Sequence, residues 1–303
     1  MTSSSGSGGR LPAARGAAAI FLLIGVIVTL QVVREHRFAS AEPAAQVLYL
    51  SSPAVLTRAA LSFDAIVADA YWIRAIQYYG RARLLRNVNA RYDLLFPLLD
   101  LTTALDPQFT VAYRFGAFFL SERAPGGAGR PDLAIRLLEK AMAARPDRWE
   151  YPHDVGFVYY RQGDYVKAAE WFTRAAQVPG ATNWLIPLAA VTLATGGDIR
   201  SSRLLWNNIL SSSEEPWLRR TAEQRLRQLD TVEMIQQLEQ VTADYERRHG
   251  RPPADWEELV GDGSLRGIPR DAAGHQFVLN PWWGAVTVTE DSPMWPLPAD
   301  NPR

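Results

Sequence analysis

The chain has 303 residues, with 32 basic and 32 acidic side chains and a formal net charge of zero, so it holds no excess of positive charge for a nucleic-acid backbone. It contains no cysteine, which excludes disulfides, thiolate nucleophiles and cysteine-ligated zinc. Its histidines, His36, His153, His249 and His275, stand far apart, and no metal-ligand spacing joins them.

The Ser/Gly-rich start, residues 1–15, is expected to be a disordered tail. From Gly16 to Val33 an uncharged run follows, GAAAIFLLIGVIVTLQVV. About 18 residues at about 1.5 Å each just span a hydrocarbon core of about 30 Å, so residues 16–33 are expected to form a transmembrane helix. A cleaved signal peptide ending near Ala39-Ser40-Ala41 and a buried helix are the competing readings, and the charges of Arg34-Glu35-His36-Arg37 weigh against cleavage. Arginines flank both ends of the run, so orientation is weakly determined. The expectation is a single-pass membrane protein with most of its chain periplasmic or extracytoplasmic, joined to its anchor by a linker at 34–55.

From Leu56 to Tyr79 the pattern turns helical, with Leu61, Phe63, Ile66, Val67, Ala70, Ile73 and Ile76 spaced for one apolar face. Asp64 and Asp69 do not share a helix face, which argues against an acid/base pair. Leu95, Leu99, Thr102 and Asp106-Pro107 mark a second helix. Phe115-Gly116 and Phe119 then belong to another first helix, and Ala134, Leu138, Ala141 and Pro146 to its partner. Between those two, Ala124 to Gly129 is a glycine-rich insertion in the turn.

The clearest stretch is Asp154 to Gly180, DVGFVYYRQGDYVKAAEWFTRAAQVPG. Gly156 and Ala168 are small where two helices would cross, Tyr159, Phe172 and Ala175 fill the space beside them, and Gly163 frees the backbone at the turn. This pattern resembles a tetratricopeptide repeat, a pair of antiparallel helices of about 34 residues. The earlier helix pairs fall at the same offsets. Downstream, Thr182 to Ser213 repeats them, with Gly197-Asp198 echoing Gly163-Asp164 and Ser202, Trp206 and Ile209 in the small, aromatic and apolar places. The resemblance implies an all-α, tetratricopeptide-repeat helical solenoid of about four helix pairs over residues 56–215, more than the three or so that a stable stack needs. A long helix at 216–249, with Leu218, Leu226, Leu229, Val232, Ile235, Leu238 and Val241 on one side, is expected to cap it.

After Gly250 the grammar changes to a small α+β module at 250–290, followed by a tail at 291–303. Pro253 precedes a short helix capped near Asp255, and Phe277 to Asn280 and Gly284 to Val288 read as a hairpin. Pro253, Leu259, Val260, Ile268, Pro269, Asp271, Gly274, Phe277 and Gly284 resemble the C-terminal portion of type II secretion pseudopilins. The match departs at Ala272-Ala273, where that family carries a proline and a tryptophan, and residues 16–33 lack a prepilin cleavage site.

No phosphate loop, HExxH motif or serine elbow is present, so no catalytic residue, metal or cofactor is assigned and an enzyme is not expected. His153 and Asp154 are adjacent on one helix and are expected to point apart. In the repeat family the concave groove is formed by the first helix of each pair. Its positions correspond here to Ile73 and Gln77, Tyr113 and Ala117, then His153, Phe157, Tyr160 and Arg161, then Trp184 and Val191. The resemblance thus implies a protein partner bound by Tyr113, His153, Phe157, Tyr160, Arg161 and Trp184, with the membrane engaged through 16–33 and no nucleic acid. The expected function is a membrane-anchored interaction scaffold or assembly factor. The alternative is an accessory component of a pilus-like or secretion-like machine that works through the C-terminal module.

Overall fold

The computed structural model describes residues 22–33, 62–84 and 92–298. The chain divides into two units, Met1–Ser51 and Ser52–Arg303. In the first, residues 22–33 form helix α1 with exposed side chains. The rest of the expected anchor, the tail at 1–15 and the linker at 34–55 lie outside the described residues. Among the described residues no helix is long and apolar enough to cross a membrane.

The second unit is mostly helical. Its helices are α2 (Asp64–Leu84), α3 (Leu95–Leu105), α4 (Thr110–Ser121), α5 (Pro131–Ala144), α6 (Glu150–Gln162), α7 (Tyr165–Ala176), α8 (Leu185–Thr195), α9 (Ile199–Ser212), α10 (Pro216–His249) and α11 (Trp256–Gly261). A two-stranded antiparallel sheet comes next, β1 (Val278–Leu279) and β2 (Val286–Thr287), with Val278 opposite Thr287 and Leu279 opposite Val286. From α2 to α10 each helix packs on the next, and α3 also meets α5 as α4 meets α6.

The turns explain this order. Gly163 ends α6 in the left-handed region at φ +83°, and Asp164 then accepts the Lys167 backbone N–H at 3.2 Å to start α7. The pair Gly197-Asp198 does the same between α8 and α9, with Asp198 accepting from the Ser201 N–H at 3.0 Å. A side-chain cap of this kind contributes about 1 kcal/mol, and so short a link forces the chain to reverse. Within the α6–α7 pair a Cβ on Gly156 would sit 2.6 Å from the Phe172 ring and 3.0 Å from the Ala168 carbonyl oxygen. That crossing therefore requires glycine. The inserted turn after α4 is fastened to α2 and its neighbour: the Tyr79 hydroxyl donates to the Gly126 carbonyl at 2.8 Å and to Glu122 at 3.0 Å, and Tyr92 donates to the Pro125 carbonyl at 3.0 Å. Burial, followed by the hydrogen bond to Glu122, pushes the Tyr79 phenol up to about 12.

One helix faces the opposite way from its sequence expectation. Phe63, Ile66, Ala70, Ile73 and Ile76 of the α2 region are exposed, while Ala68, Tyr71, Ala75 and Tyr79 are buried. Both sides of α2 carry apolar groups, and on the tyrosine side the Tyr79 hydroxyl finds polar partners in the turn after α4.

The C-terminal expectations also change. Trp206 of α9, Leu229 and Leu238 of α10, Trp256, Phe277, Val286, Met294 and Leu297 belong to one continuous core. Residues 250–290 therefore share the core of the helices before them rather than forming a separate module. Residues 291–298, expected as the start of a tail, are part of the packing. Ser292, Met294 and Leu297 are buried, and the Gln228 amide donates to the carbonyls of Met294 and Pro296 at 3.0 Å each. A buried amide with two acceptors in a loop holds that loop in place. The Trp256 indole N–H donates to the Phe277 carbonyl at 2.8 Å, and the Thr242 hydroxyl to the Gly284 carbonyl at 2.8 Å. Asp255 caps α11 through the Glu258 N–H at 2.8 Å.

Candidate protein-binding face

Helix α6 presents one face through residues three and four apart, His153, Phe157, Tyr160 and Arg161, extended by Trp149 just before its first turn. Phe157 is 43% and Tyr160 37% exposed, and their rings are stacked with centroids 6.4 Å apart. The Tyr160 ring also meets Tyr165 edge-on at 5.3 Å. Arg161 reaches back to α4, its guanidinium 5.3 Å from the centroid of Phe118. At the other end of the face Trp149, His153 and Trp184 form an aromatic corner, with His153 5.5 Å from Trp184 and Trp149 5.8 Å from it. Trp184 is 40% exposed and lies just before α8. The corner therefore ties α6 to α8 as Arg161 ties α6 to α4.

A charged clamp lies between these groups. The Arg114 guanidinium of α4 donates to both oxygens of Asp154, from Nε at 2.6 Å and from Nη2 at 3.1 Å. The hydrogen bond to Asp154 holds the guanidinium pKa above its ordinary value against the opposing effect of burial. His153 Nδ1 lies 3.0 Å from Asp154 Oδ1, which corrects the expectation that the two side chains point apart. Asp154 collects both because it is half-buried between α4 and α6, and a carboxylate there needs more than one donor.

Tyr113 is the second correction. It is fully buried, donating from its hydroxyl to the Thr103 carbonyl at 3.4 Å and meeting Tyr151 edge-on at 5.8 Å. Burial pushes its phenol up to about 12. Ala117, assigned to the same face by its offset, is buried as well. The open face of α4 carries Val111, Phe115 and Phe118 instead, at 46%, 55% and 40% exposure. Their spacing is itself a helical stripe, so the signal was present in the sequence. Tyr113 precedes Gly116 by three residues as His153 precedes Gly156, so the two helices are in phase, and the outcome differs because Tyr113 packs against Tyr151 and the Thr103 carbonyl.

Of the six expected residues the structure brings His153, Phe157, Tyr160, Arg161 and Trp184 onto one face and puts Tyr113 in the core. It adds Arg114, Phe115, Phe118, Trp149 and Asp154. Chemically this face offers exposed ring surfaces beside the guanidinium of Arg161, with that of Arg114 engaged by Asp154. Among the described residues no cluster of three or more histidine, aspartate or glutamate side chains could hold a metal ion. Comparison with family models, with characterised proteins and with solved structures found no match to this chain.

Proposed function

We propose that the chain is a membrane-anchored scaffold or assembly factor, a tetratricopeptide-repeat solenoid that binds a segment of a partner protein along α4, α6 and α8. The observation that carries this reading is the joint exposure of Phe115, Phe118, Phe157 and Tyr160 beside Arg161. Large aromatic side chains in the open are costly for a monomer and are what an interface core uses. Support for the repeat comes from the Gly-Asp turns, the glycine at the α6–α7 crossing and the packing of each helix on the next. Residues 16–33 supply the anchor, which raises the effective concentration of a partner held at the same membrane. The bound state needs no cofactor and no reaction.

A photo-crosslinking residue at Phe157, beside one at Val166 on α7, tests the reading in native membranes. Val166 is 51% exposed and serves as the control. The expected result is a discrete adduct from position 157 only, lost when Tyr160→Ala and Arg161→Ala are combined. Equal adducts from both positions, or an adduct that survives the double change, would sink it.

A second reading keeps the pseudopilin resemblance and places docking on the C-terminal hairpin. Trp282 and Trp283, at 78% and 77% exposure, favour it. An adduct from position 282 and none from 157 would select that reading.

A further inference from the structure

From Gln276 to Thr289 the sequence QFVLNPWWGAVTVT holds no charged residue. The base of this hairpin belongs to the core, since Phe277, Val286 and Val288 are buried. Its tip is open. Trp282 and Trp283 are 78% and 77% exposed, and Val278 on β1 is 43% exposed. The backbone of the tip is nevertheless fixed. The Asn280 side-chain carbonyl accepts the Trp282 N–H at 2.9 Å, and its backbone carbonyl accepts the Gly284 N–H at 2.9 Å. The Asn280 N–H in turn donates to the Ala285 carbonyl at 2.8 Å. Gly284, at φ +64°, offers its carbonyl to the Thr242 hydroxyl of α10, and a Cβ there would come within 3.2 Å of that hydroxyl oxygen. The turn is thus fastened to α10 while both indoles stay in solvent.

We infer that this tip is a membrane-surface contact, seating Trp282 and Trp283 in the headgroup–acyl boundary of a lipid bilayer. An indole has an apolar body and one N–H donor, which suits a boundary that is apolar on one side and wet on the other. No charge between 276 and 289 has to leave water when the tip enters. Few backbone donors are stranded either, because the N–H groups of Trp282 and Gly284 are bonded and Pro281 has none. Area decides against a protein pocket as the occupant. Two tryptophans supply about 150–250 Å² each, whereas a specific protein interface takes about 800 Å² from each partner. The strands behind the tip are two residues each and add little. A bilayer asks for no complementary shape and accepts a small convex wedge. The inference rests on the anchor at 16–33 to bring the fold to a membrane, and it is separate from what the α6 face binds.

Tryptophan fluorescence tests this directly, because residues 1–61, the anchor among them, contain no tryptophan. Full-length protein is reconstituted in phosphatidylcholine vesicles with and without bromine on the upper acyl chain. It is compared with Trp282→Ala combined with Trp283→Ala, and with Trp217→Ala on α10, where Trp217 is 44% exposed. Brominated lipid should quench the unmodified chain and Trp217→Ala alike, and the double variant about threefold less, with circular dichroism unchanged. Because the tip is uncharged, the quenching should be the same at low and high ionic strength and with phosphatidylglycerol added. Quenching that persists in the double variant, or that is absent from vesicle-bound protein, would overturn the contact and leave the anchor standing. Quenching that requires the anionic lipid would overturn it as well. Flotation of the vesicles separates the two readings, since a chain that stays behind would sink the anchor and the contact together. A photo-crosslinker at position 282 that yields a protein adduct and no lipid adduct in native membranes would assign the tip to a protein instead.

Discussion

At its C-terminal side the helical unit is covered. Helix α10 lies over α9, and the hairpin with residues 292–297 closes over α10, so that Trp206, Leu238, Trp256 and Leu297 share one core. At its N-terminal side no described element does the same. Helix α2 buries its tyrosine face and leaves Phe63, Ile66 and Ile73 in the open. Both sides are built from amphipathic helices of ordinary composition, and the difference is supplied by the segments that adjoin them. A helix at the edge of an array has an apolar face with no neighbour, and the free energy of covering it, about 25 cal/mol per Å² of apolar surface, is gained only when something arrives. On the C-terminal side the chain itself arrives. Among the described elements the open face of α2 has no such neighbour.

The largest test strikes the covered side. Trp256→Ala removes a side chain that is 3% exposed and leaves the Phe277 carbonyl without its indole donor. Urea unfolding followed by circular dichroism should show a loss of about 3–5 kcal/mol. A cost below about 1 kcal/mol would mean the hairpin does not share the core.

In the middle of the array, Gly156→Ala drives a methyl group against Phe172 and the Ala168 carbonyl, and the cost should be about 1–3 kcal/mol by the same measurement. The contrast between 156 and a merely helical position decides whether close approach, rather than helix propensity, keeps glycine there. A stabilising effect would show that α6 and α7 can move apart freely.

Asp271 sharpens the account of the covered side through pH. It is buried, and its carboxylate accepts from the backbone N–H groups of Ala273 at 2.9 Å and His275 at 2.8 Å and from the Ser292 hydroxyl. Burial pushes its pKa up, but the bonds from Ser292, His275 and Ala273 outweigh it and the net direction is down. A depressed carboxyl stabilises the fold above its unfolded pKa of about 3.9, and that contribution is lost as pH falls below this value toward the folded one. Asp271→Ala should cost about 1–3 kcal/mol at neutral pH, and the gap to the unmodified chain should narrow progressively as pH falls below about 3.9. Parallel curves at all pH values would refute the role of the charge.

The smallest expected effect is on the open side. Ile66→Ser should change the unfolding free energy by no more than about 0.5 kcal/mol. A loss comparable to that of Trp256→Ala would show that the α2 face is covered and would erase the contrast between the two sides.

Much of this molecule can be read from residue spacing. The helix pairs, the turns at Gly163-Asp164 and Gly197-Asp198, the long helix from Pro216 to His249 and the hairpin between Phe277 and Val288 are local matters. A positive-φ glycine, a capping aspartate or a two-residue alternation acts within a few residues of itself, so the chain states it directly. The face of α6 was readable for the same reason, since Phe157, Tyr160 and Arg161 recur at helical spacing beside a well-marked glycine.

Only the tertiary structure decided which of two apolar sides faces inward. Periodicity marks a helix with an apolar stripe, but α2 has two stripes, and the phenol partners of Tyr79 on the far turn select the tyrosine side. On α4 the same ambiguity put Tyr113 in the core and Phe115 and Phe118 outside. The meeting of Arg114, His153 and Asp154 depends on how two helices cross, and no spacing along the chain encodes it. Residues 291–298 look like a proline-rich end in isolation, yet Gln228 holds their carbonyls and Met294 and Leu297 fill the core. Local rules determined the pieces of this protein, and the choice of buried surface among them belongs to contacts between residues distant in sequence.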